Sequence, residues 1–216
     1  PGPMMAACDA FEISVIGEGA HGAMPHLGID PVVCGAEIVG ALQSITSRIK
    51  DPLESSVISV TKIHGGDAFN VIPERVELGG TARSFTEAVR NEIETGIQRI
   101  SEGIAAAHRC RVEYNYMRQF PATVNYAAET ELAAAAASRV AGEAKVRRDM
   151  PPSMGSEDFS YMLEARPGSY IWMGNAGTAG GCFLHNPNYN FNDEALGWGA
   201  SYWATLVESL QPKTAE

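Results

Sequence analysis

Hydrophobic and polar positions alternate at Phe11, Ile13 and Val15, the period of a half-buried strand, and the pattern predicts a first strand over residues 11–20. The alternation then breaks on four glycines, Gly17, Gly19, Gly22 and Gly28, which surround His21. Glycine at this density lets a backbone take positive φ or come close to another surface. From Pro31 the period changes. Ile38, Leu42, Ile45 and Ile49 fall on one face of a helix over residues 31–49. Asp30 is placed to cap that helix and Pro31 to occupy its first turn. Asp51-Pro52 ends it. The stretch reads as strand, glycine-flanked histidine loop, helix.

Val57–Ile63 is rich in β-branched residues and reads as a second strand, and Arg75–Phe85 as a third. Between them lies a loop, His64–Pro73, with turn residues at both ends. Thr86 is placed to cap a second helix, with Glu87 in its first turn and Val89, Ile93, Ile97, Ile100 and Ile104 on its buried face. Arg111–Arg118 alternates as a fourth strand. The order β-α-β-β-α-β over 11–120 predicts an α+β, ferredoxin-like domain, an antiparallel sheet with two helices on one face. Residues 1–10 read as an irregular linker.

A different pattern starts at Pro121. Residues 129–144 form an alanine-rich helix of high intrinsic propensity, and 147–154 are irregular. Ser156 is placed to cap a short helix reaching Leu163, and Gly168–Met173 reads as a short buried strand. A glycine-rich loop covers 174–181, and a last helix over 193–210 carries Trp203, Leu206, Val207 and Leu210 on one face. One strand cannot complete its own hydrogen bonding. Residues 121–216 are therefore expected to be the closing segment of an α/β domain whose other strands lie outside the chain.

Composition narrows the function. Of 216 residues, 45% are hydrophobic and 19% charged, the balance of a folded chain. A net charge of −10 argues against nucleic acid or an anionic membrane surface as partner. No apolar run reaches the roughly 20 residues of a membrane span. Cys8, Cys34, Cys110 and Cys182 form no C-x-x-C pair, so a zinc ribbon or redox dithiol is not expected. Scattered cysteines fit buried, reduced thiols of a cytoplasmic protein. The chain opens Pro1-Gly-Pro3 without a methionine and is expected to continue something longer.

Several side chains are candidates for chemistry. His185, before Asn186-Pro187, suits a metal ligand or a general base, or is a hydrogen-bonded loop histidine. Glu157 and Asp158 are either paired carboxylates or first-turn acids that complement a helix dipole. Asn70 reads as a turn residue. Arg83 shares a strand face with Thr81 and Phe85; if that face points away from the helices, its guanidinium is free to hold a carboxylate. P-loop, nucleophile-elbow, HExxH and dinucleotide motifs are absent.

Taken in order, five motifs carry a resemblance. They are Gly17-Glu-Gly-Ala-His21-Gly-Ala-Met-Pro-His26 with Asp30-Pro31; Gly65-Gly66-Asp-Ala-Phe-Asn70-Val-Ile-Pro73; Gly79-Gly80-Thr-Ala-Arg83; Met154-Gly-Ser-Glu157-Asp-Phe-Ser160; and Leu184-His185-Asn-Pro187. The series resembles the metal-dependent amidohydrolases of the aminoacylase and carboxypeptidase G superfamily, in the branch of hippurate hydrolase, N-acyl-amino-acid amidohydrolase and the plant auxin-conjugate hydrolases. It covers nearly the whole chain.

The resemblance implies a two-domain enzyme: a catalytic α/β domain holding two divalent metals (zinc, manganese, cobalt or nickel) and an inserted ferredoxin-like lid that forms a homodimer. On that pattern residues 1–10 are a linker, 11–120 the lid and 121–216 the C-terminal part of the catalytic domain. The resemblance makes His185 a metal ligand. It makes His21 the stabiliser of the tetrahedral oxyanion, often in the partner subunit's site. Asn70 and Arg83 would bind the substrate's carbonyl and carboxylate, with Glu157 near the site. The implied substrate is a hippurate-like N-acyl amino acid or a dipeptide, cleaved at its amide by metal-activated water. The family's other ligands and its general-base glutamate precede the lid and are missing, so the chain alone is expected to be inactive. Two competing readings are a non-catalytic dimerisation module and a small-molecule binding domain built on the glycine loops.

Overall fold

The structure, a computed structural model, describes residues 1–175 and 184–211. In chain order its elements are β1 (Gly2–Met5), β2 (Ala7–Ile16), β3 (Ala20–His21), α1 (Pro31–Ser44), β4 (Ser56–His64), β5 (Val71–Ile72), β6 (Arg75–Ser84), α2 (Glu87–Ala107), β7 (Arg111–Phe120), β8 (Thr123–Asn125), α3 (Ala127–Ala141), α4 (Phe159–Ala165) and α5 (Glu194–Leu210). Two compact units divide them. One comprises residues 5–123 and 152–161; the other comprises 1–4, 124–151 and the chain from 162 onward.

The larger unit is built on a four-stranded sheet of order β4-β6-β2-β7, every neighbouring pair antiparallel. Alternation in β2 buries Phe11, Ile13 and Val15 and leaves Glu12 exposed. Val76, Leu78 and Ala82 of β6 join the same buried cluster, against Cys34, Ile38 and Leu42 of α1 and Val89, Ile93 and Ile97 of α2. Both helices therefore cover one face of the sheet and leave the other open. Each fully buried aliphatic side chain in that layer contributes about 1.5–3 kcal/mol. The caps act as the sequence requires. The Asp30 carboxylate accepts from the backbone N–H of Val32 at 2.8 Å and of Val33 at 3.4 Å, and Thr86 Oγ1 accepts from Val89 N–H at 3.3 Å. Beyond Ser44 the helix widens into a π turn, in which Lys50 N–H reaches the Ile45 carbonyl at 3.0 Å.

An ion pair lies inside this unit. Asp9, 1% exposed, accepts from Arg90 Nε at 2.9 Å and Nη2 at 2.6 Å. Tyr116 Oη donates to the same carboxylate at 2.8 Å, and Gln119 N–H at 3.3 Å. That last contact occupies the extra residue of a bulge in β7, where the register to β2 shifts between Cys8 and Asp9. Arg90 also reaches Glu87 at 3.0 Å. Every arm of the buried pair thus has a partner, the condition under which a buried charge is tolerated.

In the second unit α3 and α5 pack together through Ala133, Ala136, Ala195 and Tyr202, and Arg139 Nη1 donates to Ser209 Oγ at 2.8 Å.

Three expectations are corrected. Residues 1–10 are not irregular: β1 pairs with β8, and β2 begins at Ala7 rather than Phe11. Gly168–Met173 is not a strand. Asn125 holds this segment through its side chain, with Oδ1 accepting from Tyr170 N–H and Nδ2 donating to the Tyr170 carbonyl, both at 2.8 Å, so side-chain bonds stand where a ladder was expected. Ser156 caps no helix, because α4 starts at Phe159. The stripe read on α5 stands, and it is turned outward: Trp203, Val207 and Leu210 are exposed while Ala195 and Tyr202 are buried. The loop read at 174–181 lies outside the described residues from 176 on, as does Cys182.

The buried pair makes a stability prediction. Arg90→Ala strands Asp9 and is expected to cost about 3–5 kcal/mol. Glu87→Ala removes an arm whose carboxylate is 60% exposed and is expected to cost less than about 1 kcal/mol. Urea unfolding of the two variants measures the difference; equal, small losses would contradict it.

Candidate functional site

His21 owes its position to contacts across the loop. Ile16 ends β2, and Gly17 N–H bonds the Glu74 carbonyl at 2.9 Å. The loop then folds on itself: Glu18 N–H to the Ile29 carbonyl at 2.9 Å, and Ile29 N–H to the Glu18 carbonyl at 3.0 Å. The glycines permit this approach. A Cβ on Gly17 would stand 2.1 Å from Ile29 O, and one on Gly28 would stand 2.5 Å from Glu18 O. None of the loop's four glycines has positive φ, so close approach rather than unusual backbone angle explains them.

The two arms meet in a ribbon. β3 pairs with β5, Ala20 opposite Ile72 and His21 opposite Val71, and Gly22 N–H donates to the Asn70 carbonyl at 2.8 Å. His21 and Asn70, 49 positions apart in the sequence, therefore share one exposed tip. Phe69 beside them is fully exposed. The imidazole is oriented: Ala23 N–H donates to His21 Nδ1 at 3.1 Å. A ring whose Nδ1 accepts carries its neutral-form proton on Nε2. The free ring nitrogen is thus a hydrogen-bond donor.

Arg83 lies elsewhere. β2 and β6 run from Ile16 opposite Arg75, at the His21 end, to Cys8 opposite Arg83. The eight steps along the strand from Arg75 to Arg83 span about 26 Å. Arg83 alternates with Ala82 and Ser84, which are buried, and so occupies the open face, as the sequence reading required for a free guanidinium. Its Nη1 donates to Thr81 Oγ1 and to the Ala82 carbonyl, the latter at 2.9 Å. Arg75 and Arg111 pair with Glu77 and Glu113, and Arg118 with Glu87 and Glu94. Among the described residues, Arg83 is the sheet arginine that pairs with no carboxylate.

Glu157 sits at the same end of the sheet as Arg83. Its segment is tied there by Ala6 N–H, which bonds the carbonyls of Ser153 at 3.0 Å and Gly155 at 2.9 Å. Tyr161 packs edge-on against Phe120, ring centres 6.2 Å apart, and its hydroxyl donates to the Gln119 carbonyl. Glu157 itself is half-buried.

His185 belongs to the other unit. It is exposed, with φ of 68°, a left-handed backbone that is uncommon for a residue with a side chain. Asn186 holds the turn after it, its side chain accepting from Asn188 N–H at 2.9 Å and its carbonyl from Tyr189 N–H at 2.9 Å. Among the described residues no three His, Cys, Asp or Glu side chains come together as a metal site. Burial pushes the Cys34 thiol up to about 12 and raises Cys110 as well. No described helix is long and apolar enough to cross a membrane.

Three comparisons relate the chain to known proteins. The family model for peptidase family M20/M25/M40 matches residues 3–209. The N-acetylcysteine deacetylase of Bacillus subtilis (strain 168) is 35% identical over 206 residues, covering 95% of this chain and 53% of that protein. The hippurate hydrolase of Campylobacter jejuni is 35% identical over 206 residues with the same coverage, 95% and 53%. Among solved structures, the Bacillus subtilis YXEP protein, a dinuclear metal binding peptidase from the M20 family, superposes with a TM-score of 0.76 at 31% identity, covering 97% of this chain and 51% of that one. The chain belongs to peptidase family M20/M25/M40. It spans about half the length of the curated relatives it matches.

The imidazole geometry is directly measurable. Nitrogen-15 NMR of neutral His21 is expected to show the Nε2–H tautomer. A dominant Nδ1–H form would remove the donor from the exposed tip.

Proposed function

We propose that the complete protein is a metal-dependent amidohydrolase that cleaves the amide bond of hippurate-like N-acyl amino acids or of dipeptides, and that this chain supplies its lid and the end of its catalytic domain. The names of the relatives support the substrate class, since hippurate and N-acetylcysteine are both acylated amino acids. The βαββαβ unit, with strand order β4-β6-β2-β7 and two helices on one face, is read as the ferredoxin-like lid. In the complete enzyme two divalent ions, zinc, manganese, cobalt or nickel, are proposed, with His185 as one ligand. One exposed histidine does not hold a metal that asks for four donors, so this chain alone is proposed to be inactive. The exposed α5 stripe is read as surface that the rest of the catalytic domain covers.

The observation that carries the reading is the separation of polar groups on the lid. His21 and Asn70 occupy one end of the sheet, Arg83 and Glu157 the other. A span of about 26 Å is too great for one N-acyl amino acid to touch both ends in a single copy. The two ends therefore serve different sites, and a two-fold homodimer brings one copy's tip to the other copy's Arg83. The edge of β4 with α1, whose Val32 and Val33 are exposed, is the proposed contact. A bulge at Thr61 breaks the β4–β6 register, so the regular part of that edge is Ser56–Val60.

In that arrangement each side chain has a distinct task. Arg83 grips the substrate carboxylate with its planar fork, in ground and transition states alike. Asn70 binds the carbonyl region. His21 donates Nε2–H to the oxygen that gains charge as the amide carbon becomes tetrahedral.

Mixing two impaired variants tests the arrangement. In the complete enzyme His21→Ala is expected to lower kcat roughly 10²–10³-fold, and Arg83→Ala mainly to raise KM. Co-refolded mixtures should recover about a quarter of wild-type activity at low substrate, because half the dimers are mixed and each has one intact site. A mixture no more active than its components would overturn the cross-subunit reading.

A further inference from the structure

We infer that Thr81 is the positioning residue for the Arg83 guanidinium, an inference that rests on the reading of Arg83 as the carboxylate clamp. Both residues lie on the open face of β6, two positions apart, where strand side chains point the same way. Thr81 Oγ1 donates its one proton to the Asp9 carbonyl at 2.8 Å. With the proton so committed, its lone pairs face outward as acceptors, and Arg83 Nη1 donates to them. A second bond from the same nitrogen to the Ala82 carbonyl, at 2.9 Å, fixes the inner edge of the fork. Both anchors engage one nitrogen, and among the described residues Nε and Nη2 have no hydrogen-bond partner. These two nitrogens form the outer edge of the guanidinium, the edge that takes a carboxylate in bidentate fashion.

The support beneath Thr81 is firm. Its acceptor belongs to Asp9, the residue whose side chain holds the buried Arg90 pair and the Gln119 bulge. The threonine hydroxyl thus links the half-buried Arg83 side chain to the strand position that carries the buried ion pair. An arginine loses much rotamer freedom when it binds, and one already held loses less. Thr81 spends its hydroxyl on that preparation and touches no substrate, so its removal should weaken binding without altering the chemical step.

Steady-state kinetics of the complete enzyme on one N-acyl amino acid test this, with Thr81→Val, Thr81→Ser, Arg83→Ala and the Thr81→Val/Arg83→Ala double variant. Thr81→Val keeps the β-branched shape and removes the hydroxyl. Its KM is expected to rise about three- to tenfold with kcat within about twofold. Thr81→Ser is expected to restore KM, and the double variant to match Arg83→Ala, because nothing remains to be positioned. An unchanged KM, or a rise that persists in the Arg83→Ala background, would overturn the positioning role while leaving the clamp intact. If Arg83→Ala itself leaves KM unchanged, the clamp reading fails and this inference falls with it. Should Thr81→Val not fold, Thr81→Ala is compared with its own Arg83→Ala double variant, and the same coincidence of KM values decides.

Discussion

The register between β2 and β6 is the constraint from which the rest follows. Phe11, Ile13 and Val15 on one strand and Val76, Leu78 and Ala82 on the other all face the helices. A slip of one residue would turn the whole apolar set to the open face, so the core fixes the register. Once it is fixed, Ile16 lies opposite Arg75 and Cys8 opposite Arg83. The hydrophobic core thereby sets how far the His21 tip stands from the arginine. No functional side chain has to enforce that distance itself.

Electrostatics then distinguishes the two ends. At the Arg83 end the buried Asp9 carboxylate takes four donors, two guanidinium nitrogens of Arg90, a tyrosine hydroxyl and a bulged amide, and the backbone carbonyl of the same residue takes the Thr81 hydroxyl. The remaining sheet arginines are neutralised by glutamates. Against that background one guanidinium, that of Arg83, is left without a carboxylate on the open face, the feature on which its proposed role as a carboxylate clamp rests. At the opposite end the tip carries an imidazole oriented by a backbone amide, beside Asn70 and an exposed phenyl ring.

Much of the fold was legible because its signals are local. Strand alternation, helical spacing and the caps at Asp30 and Thr86 operate within a few residues, and each produced the expected element. The β3–β5 ribbon was not legible: two-residue strands carry no period, and their pairing depends on loops meeting across 49 positions. Glycine density marked the histidine loop correctly but for only one of the two reasons offered, since the glycines serve close approach. The Asp9–Arg90 pair is 81 residues apart in sequence and looks like two ordinary surface charges until the strand buries one of them. An apolar run at 168–173 resembled a strand because composition does not reveal whether a ladder partner exists. The motif series marked His21, Asn70, Arg83, Glu157 and His185, but could not show that the first four divide between two ends of one sheet.

The division between those ends can be read most directly by crosslinking. Benzoylphenylalanine in place of the exposed Phe69 would put a photoreactive group on the tip beside Asn70 in the complete enzyme. Irradiation is expected to give a covalent dimer whose joined peptides connect the tip of one copy to segments near Arg83 or His185 in the second copy. Crosslinks confined within a single copy would contradict the placement of the tip in the second copy's site.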